Sequence, residues 1–231
     1  MIVEPLTEQE IGRVLSVMNT KTVLGARNTA TVWLMLDTGL RLSEVSTLKE
    51  ADMHLNDQYQ KVMGKGSKER MVAFGVRCQA VLLQYYLHFR PQPACEGIDT
   101  FFLTIDGYPM TADSIRSVIK RLAKSSGVRR LHAHLLRHTY ATRFLINGGD
   151  VFTLKHNLGH ATLTMVQNYV HIANDTVAVR NQSFSPMDRI AVGEDRRFRH
   201  AFTDRDDMDG RIYPNAGKRG KQSRLRKRTR V

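Results

Sequence analysis

The chain has 231 residues, 42% of them apolar and 7% aromatic, which is ordinary for a globular protein with a full core. No apolar run nears the roughly 20 residues that span a bilayer, Met1 to Leu6 lack the regions of a signal peptide, and Cys78 and Cys95 stand apart with no CxxC pair. We therefore expect a cytoplasmic chain with no membrane partner and no disulfide framework. The net charge of +13 is less ordinary: residues 218–231 hold eight Lys and Arg and no acid, among them Lys218, Arg219 and Arg226. Such an arm draws polyanions by counterion release, although it reads equally well as a solvated tail.

In chain order, Thr7 to Glu10 form a capping box ahead of an apolar stripe through Ile11, Val14, Leu15 and Met18. A second helix is expected from about Arg27 to Asp37, broken by Gly39, and a short one capped by Ser43. Residues 58–74 change period and predict a hairpin with Gly64-Lys65-Gly66-Ser67 at or beside its turn. Helices resume over Arg77–Phe89, from Thr111 or Asp113 to Gly127, from His134 to Asn147, and from an Asp150 cap to Leu158. Thr162 can cap a further helix bearing Tyr169, and a weakly helical stretch after Asp175 breaks near Ser185-Pro186. The expected fold class is mainly α (α+β): helices with one small antiparallel sheet, in a domain over 1–192. A flexible, basic tail over 193–231 is expected to follow, because apolar residues thin out beyond Val192.

Several residues suit attack on a phosphodiester without water or metal, a reaction governed by positioning and charge stabilisation. Arg41 and Arg137 can each fork onto phosphate oxygens. Arg41 lies three residues before Glu44, a spacing that also describes an ordinary surface ion pair. His134 and Arg137 share that spacing and can converge on one ligand. Lys65 sits between two glycines, which allow a tight turn and close approach to DNA, although it also reads as a solvated hairpin lysine; Lys68 and Arg70 compete for the same task. His160 follows Leu158-Gly159, and Tyr169 lies nine residues on. A helical tyrosine is more often core than nucleophile, and with an ordinary pKa of about 10 it needs cations nearby to ionise. His132, His134 and His138 suggest a metal site only weakly, since no carboxylate or cysteine cluster accompanies them. No metal or cofactor is expected.

Taken together, Thr38 to Glu44, Gly64 to Arg70, His134-Leu-Leu-Arg137-His138 through Thr142, and Leu158-Gly159-His160 with Tyr169 resemble the catalytic domain of the tyrosine recombinases, also called the phage integrase family. The likeness runs from about Leu6 to Ala178. It implies site-specific DNA recombination through a 3′-phosphotyrosyl intermediate. Tyr169 is then the nucleophile, Arg41, Arg137 and His160 stabilise the phosphorane-like state, and Lys65 protonates the leaving 5′ oxygen. His134 assists proton transfer and Glu44 orients its neighbours, while Lys68, Arg70, Lys218, Arg219 and Arg226 are expected on DNA. The resemblance further implies double-stranded DNA as partner, self-association into a tetramer on DNA, and accessory DNA-binding factors. Family members carry an N-terminal helical domain that closes a clamp on DNA; here the catalytic pattern begins near Met1, so that domain is expected to be missing. A family helix after the tyrosine docks on a neighbouring protomer, a part that Thr176–Phe184 can take. Two alternatives stay open on sequence grounds: a type IB topoisomerase, with similar chemistry, and a DNA-binding protein without catalysis.

Overall fold

The computed structural model describes residues 4–64 and 69–159. Within them the order is α1 (Glu8–Ser16), α2 (Val23–Thr38), α3 (Leu42–Ser46), β1 (Met53–His54), β2 (Tyr59–Met63), β3 (Glu69–Ala73), α4 (Val76–Gln84), α5 (Ala112–Ser125), α6 (Ala133–Ile146) and α7 (Val151–Leu158). This is the expected mainly helical fold with one small antiparallel sheet. No helix among the described residues is long and apolar enough to cross a membrane. The residues that carry the predicted Tyr169 helix, the stretch after Asp175 and the basic tail lie outside the described residues.

Two helices are buried on most of their circumference and organise the rest. In α2 the buried set is Ala26, Arg27, Thr29, Ala30, Thr31, Val32, Leu34, Met35 and Thr38, and α6 buries Leu135, Leu136, Arg137, Thr139, Tyr140, Ala141, Thr142 and Leu145. A helix that is buried all round needs small or self-satisfied polar residues where neighbours press close. Four of the threonines meet that need: Thr29, Thr31, Thr38 and Thr139 each donate a hydroxyl to the carbonyl four residues back. Helix α2 ends at Gly39 with φ +65°, where a Cβ would sit 2.2 Å from the Tyr140 ring. Only glycine fits that crossing of α2 and α6.

The boundaries differ from the predicted ones where a cap outweighs periodicity. Helix α2 begins four residues earlier than expected, at Val23, because the Thr22 hydroxyl accepts the Gly25 N–H at 3.1 Å. Helix α3 is capped at Arg41 rather than Ser43, since Glu44 reaches back to the Arg41 N–H at 2.8 Å. Helix α4 runs on through a π-helical turn over Tyr85–Phe89, where the Tyr85 hydroxyl accepts the Leu103 N–H. Asp150 caps α7 as expected, accepting the N–H groups of Phe152 and Thr153.

The sheet is a meander, β1-β2-β3, antiparallel throughout, and β1 is the strand that periodicity did not reveal, being two residues long. Met63 pairs with Glu69, so residues 64–68 connect β2 to β3 as the predicted hairpin requires. Alternation sends Gln60, Val62, Arg70 and Val72 inward and leaves Lys61, Met63, Glu69, Met71 and Ala73 outside.

The N-terminal strap is pinned by arginines. Arg130 donates to the Glu4 and Pro5 carbonyls and forks onto the Glu10 carboxylate at 2.9 and 2.5 Å, while the buried Leu6 gives its N–H to Thr139. The Arg130 hydrogen bond, against some opposing burial, holds the Glu10 carboxyl down at about 2. A depressed carboxylate stabilises the fold above its unfolded value of 4.5 and loses that contribution as the pH falls through 2. Glu10→Gln should therefore lower the melting temperature by about 2–4 °C at pH 7, with the gap to wild type closing between pH 4.5 and 2 in a scanning-calorimetry series. A gap that stays constant over that range would contradict the account.

Candidate active site

Helix α7 packs on α6 through Tyr140, Ala141, Leu145, Leu154 and Leu158, with Phe144 and Val151 at the margin. It ends at Gly159, φ +59°, one residue before His160. Helix C-termini leave carbonyls without intrahelical partners and carry the negative end of the helix dipole. Here three guanidiniums meet three consecutive carbonyls. Arg70 Nε donates to Asn157 O at 3.1 Å, Arg137 Nη2 to Leu158 O at 2.6 Å, and Arg41 Nη2 to Gly159 O at 3.3 Å. The arginines come from β3, α6 and the α3 cap, so the end of α7 is where the sheet and two helices meet.

Glu44 joins two of these arginines. Its Oε1 accepts Arg41 Nη1 at 3.0 Å, and its Oε2 accepts both Arg70 Nη2 at 2.9 Å and the Arg41 N–H. The Glu44 and Arg70 side chains are 5% and 7% exposed, whereas Arg41 is 37% exposed. Burial pulls the Glu44 carboxyl upward; hydrogen bonds from Arg70 and the Arg41 amide, with both guanidinium charges, outweigh it and hold it below the usual range. Arg137 also donates Nη1 to Gly39 O at 2.6 Å, which ties the glycine end of α2 to the end of α7.

The structure thus brings Arg41, Glu44 and Arg137 together, with His134 exposed one turn before Arg137 on α6. Arg70 belongs to the same cluster, but its guanidinium is buried against Glu44 and Asn157 instead of facing solvent, contrary to its expected place on DNA. Strand parity was the available signal: Arg70 shares its face with Val72 and Phe74. Sequence reasoning missed Asn157, whose carbonyl takes Arg70 and whose side-chain amide donates to Tyr140 OH at 2.8 Å. It also missed His156, whose Nε2 meets Met71 O at 3.1 Å and adds a second tie between α7 and β3. Lys65, Lys68, His160, Tyr169, Lys218, Arg219 and Arg226 lie outside the described residues.

Tyr140 stands beside the cluster and is the described tyrosine closest in sequence to the H-x-x-R pair. Burial above all pushes its hydroxyl up to about 12, despite the Asn157 amide and the Arg137 charge. It is 7% exposed and poorly suited to ionise. No group of His, Cys, Asp and Glu among the described residues could hold a metal ion.

Residues 4–175 match the phage integrase family. The chain is 36% identical over 186 residues to the tyrosine recombinase XerC of Bacillus pumilus, a match covering 78% of this chain and 61% of that protein. With the XerC of Staphylococcus aureus it shares 34% over 168 residues, 72% of this chain and 56% of the other. It thus spans about three-fifths of the length of these relatives. The crystal structure of XerA recombinase superposes with a TM-score of 0.67 at 27% identity, covering 80% of this chain and 66% of that one. The fold also matches XerH recombinase bound to a palindromic difH substrate in a post-cleavage complex, with a TM-score of 0.65, 23% identity and coverages of 81% and 54%.

The buried Glu44 carboxylate is the only acid bound to Arg70 among the described residues. Removing one partner of a buried pair strands the other charge, at a cost of about 3–5 kcal/mol. Glu44→Ala should lose stability of that order in urea denaturation, and Glu44→Gln clearly less, because the amide oxygen still accepts. Equal losses below 1 kcal/mol for both would contradict a buried, desolvated pair.

Proposed function

The chain belongs to the phage integrase family, the tyrosine recombinases, and from that premise we propose that it cuts and rejoins double-stranded DNA by tyrosine-mediated transesterification. The observation that carries this reading is the convergence of Arg41 and Arg137 on the adjacent carbonyls of residues 158 and 159, directly ahead of His160. Two guanidiniums held that close suit one tetrahedral anion.

The reaction runs in two balanced steps. The Tyr169 phenol oxygen attacks phosphorus, its proton passing to His134, and a P–O bond to tyrosine forms as the P–O5′ bond breaks. Lys65 gives a proton to the departing 5′ oxygen. Arg41, Arg137 and His160 stabilise charge on the non-bridging oxygens, the kind of preorganised donor set that acts most strongly where water is excluded. A 5′ hydroxyl then attacks the phosphotyrosyl bond and reverses the sequence, so bond energy is retained and no cofactor is consumed. Glu44 acts by holding Arg41 in place. Tyr140 is a poor rival for the nucleophile, given its burial and raised pKa.

The catalytic unit is taken to cover residues 1–192 and the basic segment 193–231 to add sequence-independent grip on DNA through Lys218, Arg219 and Arg226, with Lys68 on the hairpin. Self-association on DNA, accessory DNA-binding factors and a cytoplasmic site of action complete the reading.

A nicked duplex that releases the cleaved 5′ fragment tests the core of it. Wild type should become covalently linked to DNA without added metal. Tyr169→Phe should form no adduct and Tyr140→Phe should still form one; the opposite pattern would reassign the nucleophile. Arg41→Ala and Arg137→Ala should each slow adduct formation by about 10²–10³. A substrate with a 5′-bridging phosphorothiolate carries a better leaving group, and it should restore Lys65→Ala but not Arg137→Ala. Restoration of both would remove Lys65 as the acid.

A further inference from the structure

Arg70 looks in sequence like one more basic residue of a DNA-facing hairpin, three positions after Ser67 and two after Lys68. The fold gives it other work. It is 8% exposed, on the inward face of β3, paired across the sheet with Val62. Its Nε holds the Asn157 carbonyl and its Nη2 holds Glu44, whose other oxygen holds Arg41, which in turn reaches the Gly159 carbonyl. The chain of contacts closes on itself through residues 157–159. No solvent-facing edge is left for a DNA phosphate.

The ring connects three elements that the strand-cleavage reading needs in register. Strand β3 leads back within a few residues to Lys65, α3 starts at Arg41, and the end of α7 leads to His160. Gly159 completes the fit: a Cβ there would lie 3.0 Å from Arg70 Cζ and Nη1. An apolar side chain of the same strand parity, like Val62 or Val72, would fill the space without desolvating a charge, and buried ion pairs are a poor route to stability. What the planar fork offers instead is two contacts at a fixed angle, which a lysine cannot duplicate.

We propose that Arg70 is a positioning residue for DNA cleavage: it clamps the C-terminal turn of α7 to the Glu44–Arg41 pair and so sets where Arg41 stands, without touching DNA. This rests on the strand-cleavage reading above. Small misplacement of a catalytic group costs as much as 10²-fold in rate, whereas loss of a phosphate contact weakens binding and lowers its salt dependence by about one ion. The two roles therefore separate in measurement.

The full 231-residue chain is compared as wild type, Arg70→Lys, Gly159→Ala, Glu44→Gln and the Arg70→Lys/Glu44→Gln pair. Single-turnover trapping on the nicked duplex is read at saturating DNA, and Kd on an intact duplex is read across a salt series. Arg70→Lys should trap about 10–100-fold more slowly with Kd within about twofold of wild type and an unchanged salt slope. Gly159→Ala keeps every charge, presses on Arg70 from the other side and should show the same split; it also stands in if Arg70→Lys does not fold. The double variant should be slowed by less than the product of the single effects, because both act through one linkage. Normal trapping with weaker, less salt-dependent binding would make Arg70 a DNA contact and overturn the proposal, as would unchanged rates or fully multiplicative losses. No adduct from wild type would sink the strand-cleavage reading itself, and this inference with it.

Discussion

The C-terminal turn of α7 is where the described structure is decided. Three successive carbonyls, which a helix end leaves without partners, are taken by Arg70, Arg137 and Arg41 in order. Those side chains start from three separate elements, so satisfying the helix end and assembling the cluster are the same event. The dipole of α7 adds to the attraction, since its negative pole faces the guanidiniums.

Holding three cations in a small volume needs compensation. Glu44 supplies a full negative charge to two of them, and the carbonyls of Gly39 and residues 157–159 supply partial ones. The balance stays positive, which suits an anionic ligand, and Arg41 is the member that keeps more than a third of its side chain in solvent. Arg70 and Arg137 are both nearly buried. The gradient from buried to exposed arginine gives one cluster both a buried base and a solvent-facing edge.

That cluster depends in turn on how closely α2 and α6 cross. Gly39 lets the Tyr140 ring lie against the end of α2, and Arg137, one turn away on α6, then reaches the Gly39 carbonyl. Threonines that bond to their own helices let both helices be buried without orphaned hydroxyls at those positions. A bulkier residue at position 39 would move the two helices apart and carry Arg137 with it.

The sequence by itself determined much of this protein: the helical periods, the Thr7–Glu10 capping box and Asp150 cap, the hairpin around Gly64, and the ordered set Arg41, Glu44, His134 and Arg137 that marks the family. These follow from local rules, because a cap, a turn or an i, i+3 pair is complete within a few residues. Tertiary structure decided what depends on distant partners. Arg70 belongs to the interior because its strand pairs Val62 with it and α7 closes over it, and Asn157 and His156 matter because β3 and α6 lie against them. The start of α3 at Arg41 was local in principle but hidden by Ser43, the more familiar capping residue. A charged residue reads as surface until its neighbours are known; only packing shows whether solvent or another charge will satisfy it.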